Sequence, residues 1–490
     1  MGIIQKQAIN SSIYSYIGII LGFVTTGLLF PNILTTDQNG LLKILLSVSV
    51  LAAQFANMGV SGIIIRLFPL FRNKENGHYG FLFYPLIVTL LGVLLCSITF
   101  FLFKSNLIQH YQSKSHLLTE YLYYLIPLFF LQALFNILDL YTRSLLNSVI
   151  GVIQKEFVQR VFILIIIMIY FLNYIEFKEF IVLYVASNAL PPLFITIYLF
   201  KEGDLKIKPT FSFLTSSLKK EMINVSFYYF LSGFSTIAVV NIDSIMVNEY
   251  LGLSSAGVYG IVFYFGILIM IPSRALMRIS YSILAEAWKR NDMQEIATIY
   301  KKSCINQFII GLLLFIGLWA NIDVVLSILP EEYMAGKYVI FFVALGNLFD
   351  MLTGVNGPIL ITSRYYKYDS YFLIMLVLLT IITNMIFIPL YKITGAAIAT
   401  AITLVLYNLL RFLFLYKVLK LQPFTYKILI VLLIGLLVYF VSVLIPSFEN
   451  KIADILVRGS FIAITFTLSI FLSNASEDFN ALLKKYLLKK

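Results

Sequence analysis

Charge is scarce in this chain. Of its 490 residues only 12% are Asp, Glu, Lys or Arg, about half the share typical of a soluble domain. Cysteine and histidine are rarer still, with two of the first and three of the second. Cys96 and Cys304 lie far apart in apolar runs, which excludes a disulfide scaffold and leaves them as small buried hydrophobes. His110 and His116 stand six residues apart in a polar stretch and read as solvated, while His78 is alone in a loop. No metal-ligand spacing, Gly-rich phosphate loop, nucleophile elbow or pair of catalytic carboxylates occurs. No catalytic residue, metal or cofactor is therefore expected. A soluble enzyme and a disordered regulator are excluded as well.

What fills the chain instead is apolar: 60% of residues are hydrophobic and the mean hydropathy is +0.91. A soluble protein of this size could not cover so much apolar surface, so the excess must face lipid. Runs of about 20 residues suffice to cross a bilayer. They fall near 12–30, 41–65, 81–103, 121–145, 157–174, 179–200, 223–248, 255–277, 303–329, 338–361, 370–390, 394–418, 427–446 and 453–473, giving fourteen spans. The first run is too long for a signal-peptide core and reads as a retained helix. No loop is long enough for an extramembrane domain.

The scarce charges are unevenly signed, at 36 basic against 24 acidic residues, for a net charge of +12. With fourteen spans both termini share one side. Placing the loops after even-numbered spans on that side collects 28 of the 36 basic residues there, from Lys6 to Lys489 and Lys490. Such a bias marks the cytoplasmic face and removes any need for nucleic acid as a partner. Residues 281–302 alternate apolar and charged positions at helical spacing. They predict an amphipathic surface helix with Trp288 and Tyr300 near the headgroups.

The chain also repeats itself weakly. Asn10-Ser-Ser-Ile-Tyr opens span one and Asn224-Val-Ser-Phe-Tyr opens span seven, while Ile65-Arg66-Leu67 and Met277-Arg278-Ile279 close spans two and eight. Two six-helix lobes, 1–200 and 223–420, are expected, related by a pseudo-two-fold along the membrane normal. A cytoplasmic linker, 201–222, joins them, and 421–490 adds spans thirteen and fourteen with a basic tail.

Three stretches resemble a known family. Asp243-Ser-Ile-Met-Val-Asn-Glu-Tyr-Leu-Gly-Leu-Ser-Ser-Ala-Gly-Val-Tyr resembles the span-seven-to-eight signature of bacterial polysaccharide flippases of the MOP (multidrug/oligosaccharidyl-lipid/polysaccharide) exporter superfamily. Asn384-Met-Ile-Phe-Ile-Pro-Leu-Tyr-Lys-Ile-Thr-Gly-Ala-Ala-Ile-Ala-Thr resembles its span-eleven-to-twelve stretch, and Phe55-Ala-Asn-Met-Gly-Val-Ser-Gly is a third match. Physically these are turns and close-packing faces: Gly252–Ala256 reverses the chain, Pro389 ends or kinks span eleven, and Gly395–Ala397 let helices approach. The resemblance implies an O-antigen-type flippase in the bacterial inner membrane. Its cargo would be an undecaprenyl-pyrophosphate-linked oligosaccharide, moved by alternating access through a cationic cavity. A monomer in a phospholipid bilayer, beside glycan-assembly proteins, is the expected setting.

Ionisable residues inside spans are the default functional candidates. Arginine suits pyrophosphate because its planar fork grips oxygens in pairs and stays charged. Arg66 and Arg274, in corresponding spans of the two lobes, lead the candidate cavity, with Arg278 and Arg143 beside them. Pro272 could bend span eight and turn Arg274 inward. Asp139 and Arg143, four apart on one helix, also suit a local ion pair. Asp243 has no polar neighbour on its own helix and must find a partner on another span, or carry a coupling cation. Asp350 poses the same alternative. Arg278 and Arg411 read as snorkelling to the cytoplasmic headgroups, the alternative being a basic vestibule that captures the pyrophosphate. Competing functions are a lipid II flippase, a cation-coupled drug exporter, a polytopic glycan polymerase or ligase, and a scaffold.

Overall fold

The computed structural model describes residues 3–112, 114–446 and 448–487. Lys489 and Lys490, counted above on the basic face, lie outside the described residues, and Lys6 is described in its backbone alone. Among the described residues all regular structure is helical. Twelve helices are long and apolar enough to cross a membrane. One of them, Tyr366–Leu419, runs 54 residues but breaks at Lys392, whose φ of 53° reverses the chain. Thr383 and Thr403 then face each other, Oγ1 to Oγ1 at 3.1 Å, so this is a hairpin of two spans. The helical stretch 149–171 supplies another, formed by Val149–Val152, a wider π turn at Ile153–Val158 and Gln159–Phe171. Twelve, plus one for the hairpin and one for 149–171, restores the fourteen segments expected from hydropathy. Their outward faces carry rows of exposed apolar side chains, among them Leu90, Leu94 and Phe101, or Leu429, Leu433 and Phe440. Such rows on spans of this length suit a lipid surrounding.

The chain packs as two compact units, Met1–Ile261 and Val262–Lys490. In the first, Thr36–Ala56 opens with a capping box: Gln38 N–H donates to Thr35 Oγ1 and Thr35 N–H to Gln38 Oε1. Span two does not run unbroken to residue 65. Positive φ at Met58 and Gly59 ends it, and a separate helix, Val60–Phe71, carries Arg66. Span seven, Ser216–Leu251, packs along both pieces. The turn after it is tighter than the sequence suggests, since Gly252 alone, at φ +86°, separates it from the helix Leu253–Ile267. Gly257 lies so close to span two that a Cβ there would sit 2.0 Å from the Thr36 carbonyl oxygen. Gly257→Ala must push the two helices apart, at about 1–3 kcal/mol. A lower thermal midpoint in detergent and less protein in the membrane are expected.

His78 is not a loop histidine in water. It is buried, accepts from the Asn73 N–H at Nδ1, and has Nε2 3.3 Å from Asp204 in the linker. Tyr79 stacks on Phe213, with ring centroids 4.2 Å apart, and accepts from the Thr210 N–H. The linker is thus strapped to the loop after span two.

In the second unit, Met293–Ala320 packs on Lys337–Leu352, Tyr426–Val443 and Lys451–Leu472. Residues 281–302 correct the surface-helix expectation. They are the end of Ile271–Lys289 and the start of Met293–Ala320, separated by a turn in which Asn291 has φ 55° and Asp292 caps the second helix through the Glu295 N–H. Tyr300 is fully buried beside Leu284, Ile296 and Val355, because the apolar face predicted for lipid packs inside the bundle instead. Cys304 lies in the same cluster, as a small buried hydrophobe.

The C-terminal helix Glu477–Leu487 is pinned by Asp478, whose carboxylate accepts from Lys302 Nζ at 2.8 Å and Asn306 Nδ2 at 3.0 Å. The Lys302 hydrogen bond, above all, holds the Asp478 carboxyl below its ordinary range. A depressed carboxyl pKa contributes stability that is present above the unfolded value and disappears as pH falls through the folded one. Asp478→Asn should therefore loosen the helix at pH 7 and make no difference near pH 2, read by limited proteolysis of the C-terminus.

Candidate functional site

In the first unit Arg66 is exposed on Val60–Phe71, and no ion pair holds it among the described residues. Arg143 differs. Its guanidinium lies 2.7 Å from Asp139 on the same helix, the local pair that the i,i+4 spacing allows. The buried Asp139 is covered from the other side by Gly151, where a Cβ would meet its Oδ1 at 1.8 Å. Next to it Lys155 donates to Gln132 Oε1 at 3.2 Å and lies over the Phe135 ring. Gln132 and Gln159 both donate to Asn188 Oδ1, at 3.2 and 3.0 Å. A polar net thus links spans four, five and six. Lys155 precedes the apolar run at 157–174, but the helix itself starts at Val149, eight residues before that run.

Asp243 is 2% exposed. Its partners do come from other spans: Tyr259 donates to Oδ2 at 3.2 Å, and Lys43 lies within electrostatic reach. The Gly252 turn folds Tyr259 back onto Asp243, nine residues before the turn against seven after it. Lys43 is held on Thr36–Ala56 with its side chain over Gly260. A buried carboxylate persists only beside such compensation.

His110 is exposed, as expected, but it also has a partner. Its Nε2 is 2.7 Å from Glu249 Oε1, Tyr111 donates to Glu249 Oε2 at 2.8 Å, and Lys114 Nζ lies 3.3 Å from the same carboxylate. The end of span three is clasped to the end of span seven. His116 is exposed, as expected.

In the second unit a 3-10 turn, Leu268–Met270, precedes Pro272 in the first turn of Ile271–Lys289, so the α-helical pattern of span eight is interrupted there. Ser273 anchors the new helix by donating to Gln307 Oε1 at 2.6 Å. Arg274 and Arg278, one turn apart, share a face. Both are exposed, and neither has an acidic partner among the described residues.

Arg411 corrects the snorkelling expectation: it is 9% exposed, paired with Asp369 and stacked over Tyr407 with its guanidinium carbon 4.2 Å from the ring centroid. The hairpin register explains the pair, since Asp369 opens the first arm and Arg411 lies late in the second. Asp350 accepts from Asn408 Nδ2 at 2.8 Å, and Asn408 Oδ1 accepts in turn from Asn356 at 2.8 Å and Thr353 at 3.0 Å. Asp350 is thus part of a hydrogen-bonded net rather than a lone carboxylate. No group of three or more His, Cys, Asp or Glu suited to a metal occurs among the described residues.

No family model and no curated protein matches this chain. Solved structures do. The fold is similar to "Lipid II flippase MurJ, inward closed conformation", with TM-score 0.76 at 15% identity, covering 98% of this chain and 100% of that one. It is similar to an inward-facing multidrug resistance MATE family transporter of the MOP superfamily, with TM-score 0.60, 16% identity, and 81% and 93% of the two chains covered. An outward-facing MATE transporter matches with TM-score 0.53, 18% identity, and 86% and 97% covered. At these identities the likeness is one of fold. The chain shares the helical fold of structures described as a lipid II flippase and as MATE family transporters.

Proposed function

We propose that this protein is a flippase for an undecaprenyl-pyrophosphate-linked oligosaccharide repeat unit, moving it from the cytoplasmic to the outer leaflet of the bacterial inner membrane. The observation that carries the reading is a set of three exposed arginines on helices of an otherwise apolar chain, Arg66, Arg274 and Arg278, which have no acidic partner among the described residues. An unpaired guanidinium in that setting is retained for an anionic ligand, and a pyrophosphate offers the paired oxygens that its fork grips. Arg143 is already neutralised by Asp139 and acts as a positioning residue for spans four and five. Asp243, held by Tyr259 with Lys43 in electrostatic reach, and Asp350, hydrogen-bonded to Asn408, steady the spans.

In this reading 1–200 and 223–420 are the two lobes of an alternating-access cycle, joined by 201–222. The basic face is cytoplasmic, and the chain works as a monomer beside glycan-assembly proteins. The motifs at Asp243–Tyr259 and Asn384–Thr400 favour a polysaccharide unit as cargo. A lipid II cargo is the second reading, favoured by the fold likeness that covers nearly the whole chain. Depleting the protein and identifying the lipid-linked intermediate by mass spectrometry separates them. Accumulated undecaprenyl-pyrophosphate glycan supports the first reading, and accumulated peptidoglycan precursor the second.

A further inference from the structure

At the strongly basic end of the second unit, a cavity of 410 Å³ opens between the start of Met293–Ala320, the start of Tyr426–Val443 and the C-terminal helix. Its volume falls in the range of small-molecule sites, about 300–1,000 Å³. Lys301, Lys302 and Lys427 line it together with Glu477 and Asp478. Asp478 is consumed by Lys302 and Asn306. Lys427 reaches only the Asn474 carbonyl oxygen, at 3.3 Å, and Lys301 has no ion pair among the described residues. Once Lys302 cancels Asp478, Lys301 and Lys427 against Glu477 leave one positive charge facing the cavity.

The remaining walls are apolar. Ile305 and Ala475 are buried behind the lysines, and Tyr426, 75% exposed in the first turn of its span, is placed as tyrosines are at a headgroup boundary. A basic rim over an apolar floor matches an amphiphile rather than a free ion, and basic pockets between spans at this end of a bundle recognise phospholipid headgroups. We propose that this cavity binds an anionic phospholipid, with its phosphate held between Lys301 and Lys427 and its glycerol and upper acyl chain against Ile305 and Ala475. This site is separate from the cargo and stands whichever lipid-linked substrate is carried.

Native mass spectrometry of the full chain in detergent, with added phosphatidylglycerol or phosphatidylcholine, tests it. Phosphatidylglycerol should be retained on the wild type and phosphatidylcholine should not. Lys301→Gln with Lys427→Gln should lower phosphatidylglycerol retention about 30-fold. Lys484→Gln with Lys485→Gln removes the same charge from the same end, outside the cavity lining, and should leave retention unchanged. Arginine at 301 and 427 should preserve it, which keeps the test valid if the glutamine pair does not fold. Equal retention of the two lipids, loss in the 484/485 pair as large as in the 301/427 pair, or displacement by millimolar inorganic phosphate would each overturn the proposal.

Discussion

Alanine at Arg66 or Arg274 is expected to reduce surface glycan to a small fraction of the wild-type level while the protein stays in the membrane at its normal amount. Hydrogen bonds to a charged group contribute about 1.5–3 kcal/mol, so losing one arginine should weaken capture of the pyrophosphate about 10–150-fold. Both side chains are exposed and have no ion pair among the described residues, so little folding energy is lost with them. Lysine at either position keeps the charge but not the planar fork, and should give intermediate export. Arg143→Ala should behave differently. It strands the buried Asp139 and should lower protein level more than export per molecule. Complementation of a flippase-deficient strain, with glycan normalised to membrane protein, checks all five variants. Wild-type export from both alanine variants would remove the cationic cavity from the mechanism.

Asp369→Ala is expected to have the largest effect on stability. It leaves the Arg411 guanidinium buried without the carboxylate that pairs with it across the hairpin. Breaking a buried pair by removing one partner typically costs about 3–5 kcal/mol, whereas replacing both by apolar groups is often neutral. Asp369→Leu with Arg411→Met should therefore recover most of the thermal midpoint that Asp369→Ala loses, measured in detergent by unfolding. A single variant as stable as the wild type would show that Arg411 is compensated elsewhere, Asp350 being the other carboxylate within its electrostatic reach.

These two residues also mark how far the sequence could be read. The fourteen spans are legible because hydropathy is a local property, and the Gly252 and Lys392 reversals fall where the motifs place turns. The i,i+4 pair of Asp139 and Arg143 is legible for the same reason. Arg411 is not, because its partner lies 42 residues away and only the hairpin register brings them together. Lys43 lies inside the run drawn at 41–65, yet near its end it is indistinguishable from a loop charge until span seven packs against it. His110 likewise needs Glu249, 139 residues on. The 281–302 helix failed on a signal that was present: Asn291-Asp292 is a turn and an N-cap, followed by Glu295, but the amphipathic period runs through it. The three free arginines follow from sequence as candidates. Their lack of acidic partners needed the structure.

The most direct measurement is translocation by the purified protein in proteoliposomes. A polyprenyl-pyrophosphate-linked oligosaccharide is placed in both leaflets, and a membrane-impermeant glycosidase reports how much becomes accessible with time. The wild type should expose the inner-leaflet pool well above protein-free vesicles, and Arg66→Ala and Arg274→Ala should not. Translocation no faster than in protein-free vesicles, or equal rates in wild type and both variants, would contradict a flippase working through those arginines.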